Sequence, residues 1–133
     1  MIVPITGVFA AVIGILLLVL SAVVVKYRLK YGKGMGTAED LDFEAAVRAH
    51  GNLVEYAPLT LIMLGIAELN GVSSGFIYWV GMAFVVGRIL HAWGMFQGQG
   101  GPHKARVVGI LLTWAAILVI AVLLLLNVFQ VYG

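Results

Sequence analysis

Apolar residues run along this chain in blocks too long for strands or for the helices of a small water-soluble domain. Met1 to Val25 carries no charge, and neither does Val107 to Val131, which is rich in Leu, Ile and Val. A helix crosses the hydrocarbon core of a bilayer with about 20 mostly apolar residues, so both blocks predict transmembrane helices. Two less uniform blocks lie between them: Leu53 to Ala67, apolar apart from Glu55, and the uncharged Val72 to Gly87. With their polar flanks counted in, they predict one helix from about Asp42 to Leu69 and another from about Ser73 to Gln97. Asn70 and Gly71 supply a tight turn between these two, and Gly98, Gly100, Gly101 and Pro102 break the chain before the last helix. The segment Gly32 to Glu39 is the longer first loop, and Asp40 or Asp42 caps the helix that follows it. The expectation is an all-α membrane protein, one four-transmembrane-helix bundle over residues 1–133. The first block lacks a basic leader and is too long for a cleaved signal peptide, so it is expected to be retained.

Composition agrees. Of 133 residues, 62% are hydrophobic and 11% charged, with a mean hydropathy of +1.08; a soluble domain is roughly 45–50% apolar and about 25% charged. A soluble monomer and a disordered chain are both excluded. The chain has no cysteine, which removes disulfides, protein thiolate nucleophiles and Cys-based metal sites together. The positions of the charges say more than the net +2. Lys26, Arg28, Lys30 and Lys33 follow the first helix, Lys104 and Arg106 follow the third, and the turn at Asn70 and both termini have none. The positive-inside rule then places both basic loops in the cytoplasm and both termini on the opposite side.

The remaining polar groups fall where a membrane should be dry. On a helix, Arg48, Asn52, Glu55 and Tyr56 share one face over two turns while His50 points away. Arg88 and His91 sit three residues apart on one side of the third helix. Ionisable groups facing lipid cost a few kcal/mol each, so they face a partner or a wet cavity. A structural reading makes Arg48 and Glu55 an ion pair between helices and Asn52 an interhelical hydrogen-bonding residue. Glu68 is expected to be solvated near the turn, Lys30, Lys33 and Lys104 to set topology, and His103 to be exposed. Trp79, Trp93 and Trp114 are expected as packing or interfacial anchors. Three scattered histidines match no metal-ligand pattern, and without strands there is no phosphate loop and no nucleic-acid partner is expected. A proton or ion path along Glu55, Arg88 and His91 is the weakest reading, because four helices are too few for alternating access. Arginines, an Asn, a carboxylate and a Tyr facing one cleft suit a small zwitterionic ligand, and an apolar lipid-facing slot beside it would admit a second, hydrophobic substrate.

The segment Arg48-Ala-His-Gly-Asn52-Leu-Val-Glu55-Tyr56-Ala-Pro58 resembles the helix 2 signature of the membrane-associated proteins in eicosanoid and glutathione metabolism, the MAPEG family. Arg88-x2-His91 looks like the family's helix 3 signature, and length, spans and basic loops agree over the whole chain. The His50-Gly51 pair inside the motif is similar to the short bacterial members. The resemblance implies a homotrimer in a bacterial inner membrane, with glutathione as co-substrate bound at the subunit interfaces. It implies that Arg48, Asn52, Glu55 and Tyr56 bind glutathione, that Arg88 and His91 form the adjoining wall, and that His50 approaches the ligand from a neighbouring subunit. It puts Arg28 at a site arginine ending helix 1, and Arg106 near the arginine that stabilises the glutathione thiolate. Met95 departs from the pattern, standing where the family's synthases have Tyr. The implied activity is a microsomal-type glutathione transferase or peroxidase acting on lipophilic electrophiles. The alternative is a non-catalytic lipid-binding or scaffold membrane protein of the same fold.

Overall fold

The structure, a computed structural model, describes residues 1–132, with side chains for residues 1–129. Among the described residues there are four helices and no strand: α1 (Pro4–Tyr31), α2 (Leu41–Leu69), α3 (Ser74–Gln97) and α4 (Lys104–Tyr132). All four are long and apolar enough to cross a membrane. Their most apolar stretches differ, with mean hydropathy 3.1 and 2.9 in α1 and α4 against 1.3 and 1.4 in α2 and α3. That difference follows the packing. Among the described residues α2 and α3 each touch all three other helices, whereas α1 and α4 do not meet. The buried ionisable residues, Arg88 and His91, lie on the central helix α3, where neighbours surround them.

α1 continues past the apolar block and carries Lys26, Arg28 and Lys30 in its last turns, where a loop was expected. Long unbranched basic side chains form helix well, and cations near a helix C-terminus offset its dipole. A helix of 28 residues is about 42 Å long at 1.5 Å per residue, so its end emerges from the hydrocarbon core. Gly32 stops it in the left-handed conformation at φ 59°, its N–H and that of Lys33 returning to the carbonyls of Leu29 and Arg28. Lys104 and Arg106 likewise belong to the start of α4. Asp40, of the two candidates, caps α2, its carboxylate accepting from the Phe43 N–H at 2.9 Å. It also accepts from the Tyr31 hydroxyl. That bond, then the one from Phe43, holds the Asp40 carboxyl below the ordinary carboxylate range.

Glu68 corrects an expectation. It is not a solvated turn residue, because its two oxygens accept from the backbone N–H groups of Ile5 (3.0 Å) and Thr6 (2.8 Å). The first N–H groups of a helix have no partner inside it, and α1 has no capping side chain of its own. Glu68 supplies the cap from the far end of α2. His103 is also not fully exposed: it is half-buried, its Nδ1 accepts from the Ala105 N–H at 3.2 Å, and its ring meets the edge of Trp93 at 6.1 Å. The three tryptophans sit on the outer surface.

Apolar side chains gain little by leaving lipid for protein, so membrane helices associate through small residues that admit close backbone contact. Gly87 on α3 and Gly109 on α4 form such a crossing: a Cβ on Gly109 would stand 2.5 Å from the Gly87 carbonyl oxygen and from the His91 nitrogen. Gly109→Ala should therefore force α3 and α4 apart and cost about 1–3 kcal/mol. Gly14, with open space around it, is the control, and Gly14→Ala should change stability by less than about 1 kcal/mol. Reversible unfolding in mixed micelles measures both.

Candidate functional site

The polar residues of α2 and α3 meet at the level of Arg88. This arginine is 2% exposed, deep in the bundle. Its Nε donates to Thr113 Oγ1 on α4 at 2.9 Å, and its Nη1 donates to Asn52 Oδ1 on α2 at 2.6 Å. Its guanidinium lies over the Tyr56 ring, 5.2 Å from the centroid. Among the described residues no carboxylate pairs with it, and its buried Nη2 has no hydrogen-bond partner. The site thus holds a fixed positive charge with spare donor capacity.

One helical turn from Arg88 a polar cavity of about 480 Å³ opens at the end of the bundle that carries the basic residues. Arg48 and Asn52 line it from α2, His91 and Met95 from α3, and Arg106 from α4. Glu44 is the one carboxylate on its wall, and Gln99 and Gly100 form part of the rim. Arg106 is oriented by that rim, donating through Nη1 to the Gly101 carbonyl at 3.0 Å and also to that of Gly100. Gly94 lets α4 begin so close to α3, because a Cβ there would stand 2.9 Å from the Arg106 Cα. Gln99 ties the rim to the start of α2 through a 2.9 Å bond to Asp42 Oδ1. Its backbone is left-handed (φ 45°).

A second depression lies further along α2, on the outer surface between α2 and α4. It measures about 470 Å³ and is lined by Glu55, Tyr56 and Leu59 with Trp114, Ile117 and Leu118. Trp114 Nε1 donates to the Tyr56 hydroxyl at 3.1 Å, which closes its upper edge. The groove is apolar except for these two groups and Glu55.

The expected single face of α2 is therefore divided. Arg48 and Asn52 reach the polar cavity with His91 and Arg106, while Glu55 and Tyr56 reach the groove. Arg88 touches both through Asn52 and Tyr56. Among the described residues Arg48 and Glu55 form no ion pair, and both are exposed. His50 is half-buried and lines neither space. Arg28 is not at the cavity: it donates to the carbonyls of Lys33 and Gly34 in its own loop and lies 5.7 Å over the Phe43 ring. Thr113, Glu44 and Gln99 were missed by the sequence reading. Thr113 alone left a signal, as a lone hydroxyl in an otherwise apolar stretch of α4. Among the described residues no cluster of His, Asp and Glu could hold a metal ion.

Comparison with known proteins identifies the family of this four-helix chain. The model of the MAPEG family matches residues 6–126. Two Escherichia coli proteins, both named inner membrane protein YecN, are each 28% identical to this chain over 114 residues, which is 86% of the chain and 85% of the relative. One is from strain K12 and the other from an O6:H1 strain.

The geometry predicts that Thr113→Val destabilises the protein by about 1–3 kcal/mol, because the Arg88 Nε then has no acceptor inside an apolar bundle. Thr113→Ser, which keeps the hydroxyl, should recover most of that loss in the same unfolding measurement.

Proposed function

The chain belongs to the MAPEG family, and on that premise we propose that it is a glutathione-dependent transferase or peroxidase of a bacterial inner membrane, acting on lipophilic electrophiles. The observation that carries this reading is the polar cavity. Two guanidiniums, an imidazole, two amides and one carboxylate line a single volume of about 480 Å³, large enough for a small charged peptide. The residues fit an anionic thiol peptide: Arg48 and Arg106 suit its carboxylates and thiolate, and Arg88 has a donor to spare. Glutathione supplies the nucleophilic thiol, so a protein cysteine is not required.

Each residue then has a task. Arg48 and Asn52 hold the peptide against α2. Arg106, kept in place by the rim carbonyls, favours the thiolate over the thiol and so lowers its pKa. His91, at the cavity wall beside buried Arg88, shapes the inner end. The apolar groove between α2 and α4 would receive the hydrophobic partner, with Tyr56 and Trp114 at its edge. In this reading the basic end of the bundle faces the cytoplasm, both termini face away from it, and the protein is a homotrimer. Exposed Glu55 supports the assembly: a carboxylate on a spanning segment is costly against lipid, and a neighbouring copy can cover it. Native mass measurement in mild detergent should return three chains, and monomers alone would overturn that assignment.

A second reading, a lipid-binding protein without catalysis, is favoured by the groove taken alone. Arg106 separates the two. Arg106→Ala should raise the pH at which bound thiolate absorbance appears, by about one unit or more, each unit being about 1.4 kcal/mol of lost preference for the anion. Arg106→Lys should recover only part of the shift, since a mobile point charge replaces a rigid fork. Absence of a thiolate signal in the wild-type protein would favour the lipid-binding reading. Three superimposed titrations would remove Arg106 from the chemistry.

A further inference from the structure

The cavity wall contains one feature that the tasks above leave unused. Glu44 lines it together with Arg48 and Arg106, yet among the described residues it forms an ion pair with neither. Its side chain is exposed at the mouth, and its backbone is fixed in the first turn of α2, with its N–H bonded to the Asp40 carbonyl at 3.0 Å. Arg48 stands one turn further along the same helix, also exposed and lining the same space. Residues at this i,i+4 spacing have Cβ atoms about 5–6 Å apart and ordinarily pair with one another. Here a carboxylate and a guanidinium one turn apart on α2 line the same cavity without an ion pair between them.

That arrangement matches one chemical group. An α-amino-acid head carries an ammonium and a carboxylate on a single carbon, and so presents the opposite charges at close spacing. Arg48 meets the carboxylate with its planar fork, and the carboxylate of Glu44 accepts from the ammonium. A ligand with two anionic groups and no ammonium would leave Glu44 repelling it. We propose that Glu44, paired with Arg48, is the specificity residue that reads the free α-amino group of the thiol ligand and rejects thiols that lack it. The proposal rests on the glutathione reading above and assigns the end of the ligand remote from the sulfur.

The test compares glutathione with N-acetylglutathione, which has the same thiol and carboxylates but no ammonium, on wild type and Glu44→Gln. Binding is read from the ligand-induced rise in melting temperature over a concentration series, and the melting temperature without ligand confirms that the variant is folded. Wild type should prefer glutathione about tenfold, the size expected of one charge-assisted hydrogen bond at a wet cavity mouth. Glu44→Gln should bring that ratio close to one, with N-acetylglutathione bound as well as or better than by wild type. A variant that keeps the wild-type ratio overturns the role of Glu44 and leaves the glutathione reading standing. If neither thiol protects the wild-type protein, both fall.

Discussion

The buried guanidinium of Arg88 is the constraint on which the rest of the site depends. A charge cannot sit inside an apolar bundle unless acceptors are brought to it, and here they come from two other helices: Asn52 on α2 and Thr113 on α4. The Tyr56 ring covers its face. These contacts fix the rotation of α2, α3 and α4 at one level. Once Asn52 faces inward, helical spacing turns Arg48 toward the same side one turn earlier. His91 follows Arg88 on α3 in the same way. The polar cavity is thus a consequence of the register set by one arginine.

That register needs close backbones. Thr113 has a short side chain, and it reaches Arg88 Nε at 2.9 Å while donating to the Gly109 carbonyl at 2.9 Å. It can do both only because α4 lies against α3 at the Gly87–Gly109 crossing, where neither residue has space for a Cβ. Gly94 repeats the device one heptad beyond Gly87, and there the neighbour is the backbone of Arg106 itself. The glycines of α3 therefore act on charge placement as well as on packing: one aligns the hydroxyl that satisfies Arg88, the other sets the start of the helix that carries Arg106.

Much of this was legible in the sequence. The four spans follow from uncharged block length alone, and the breaks at Gly32, Asn70–Gly71 and Gly98–Pro102 lie where glycine permits the turn. Helical spacing puts Arg48 and Asn52 on one face of α2 and Arg88 and His91 on one side of α3, whereas their meeting with Arg106 in one cavity is visible only in the fold. What the sequence did not reveal are contacts made across helices or set by the protein's dimensions. Glu68 looks like a turn residue because it precedes Asn70, and only the proximity of the α1 N-terminus makes it a cap. Thr113 gains its meaning from Gly109 and Arg88, on two different helices. Glu55 was read onto the face of Arg48 because its angular offset is small. Glu55 lies between Asn52 and Tyr56, level with Arg88, and lines the outer groove, not the cavity.

That separation bears on the proposed chemistry. A transferase in a membrane must join a partner dissolved in water to one dissolved in lipid. α2 supplies polar Arg48 and Asn52 at the basic end, then Tyr56 one turn beyond Asn52, about 5–6 Å along the axis, at the head of the apolar groove. Arg88 lies behind the boundary and touches both sides of it. A positive charge at that point draws an anionic group inward while the apolar groove excludes it, so the polar partner is drawn to the boundary and stops there. Exposed Arg48 and Glu55 mark the two sides of the same boundary on the protomer surface. Their burial against further copies of the chain would remove water from the junction and strengthen each of these charge interactions, so on the proposed reading assembly and reactivity depend on the same pair of residues.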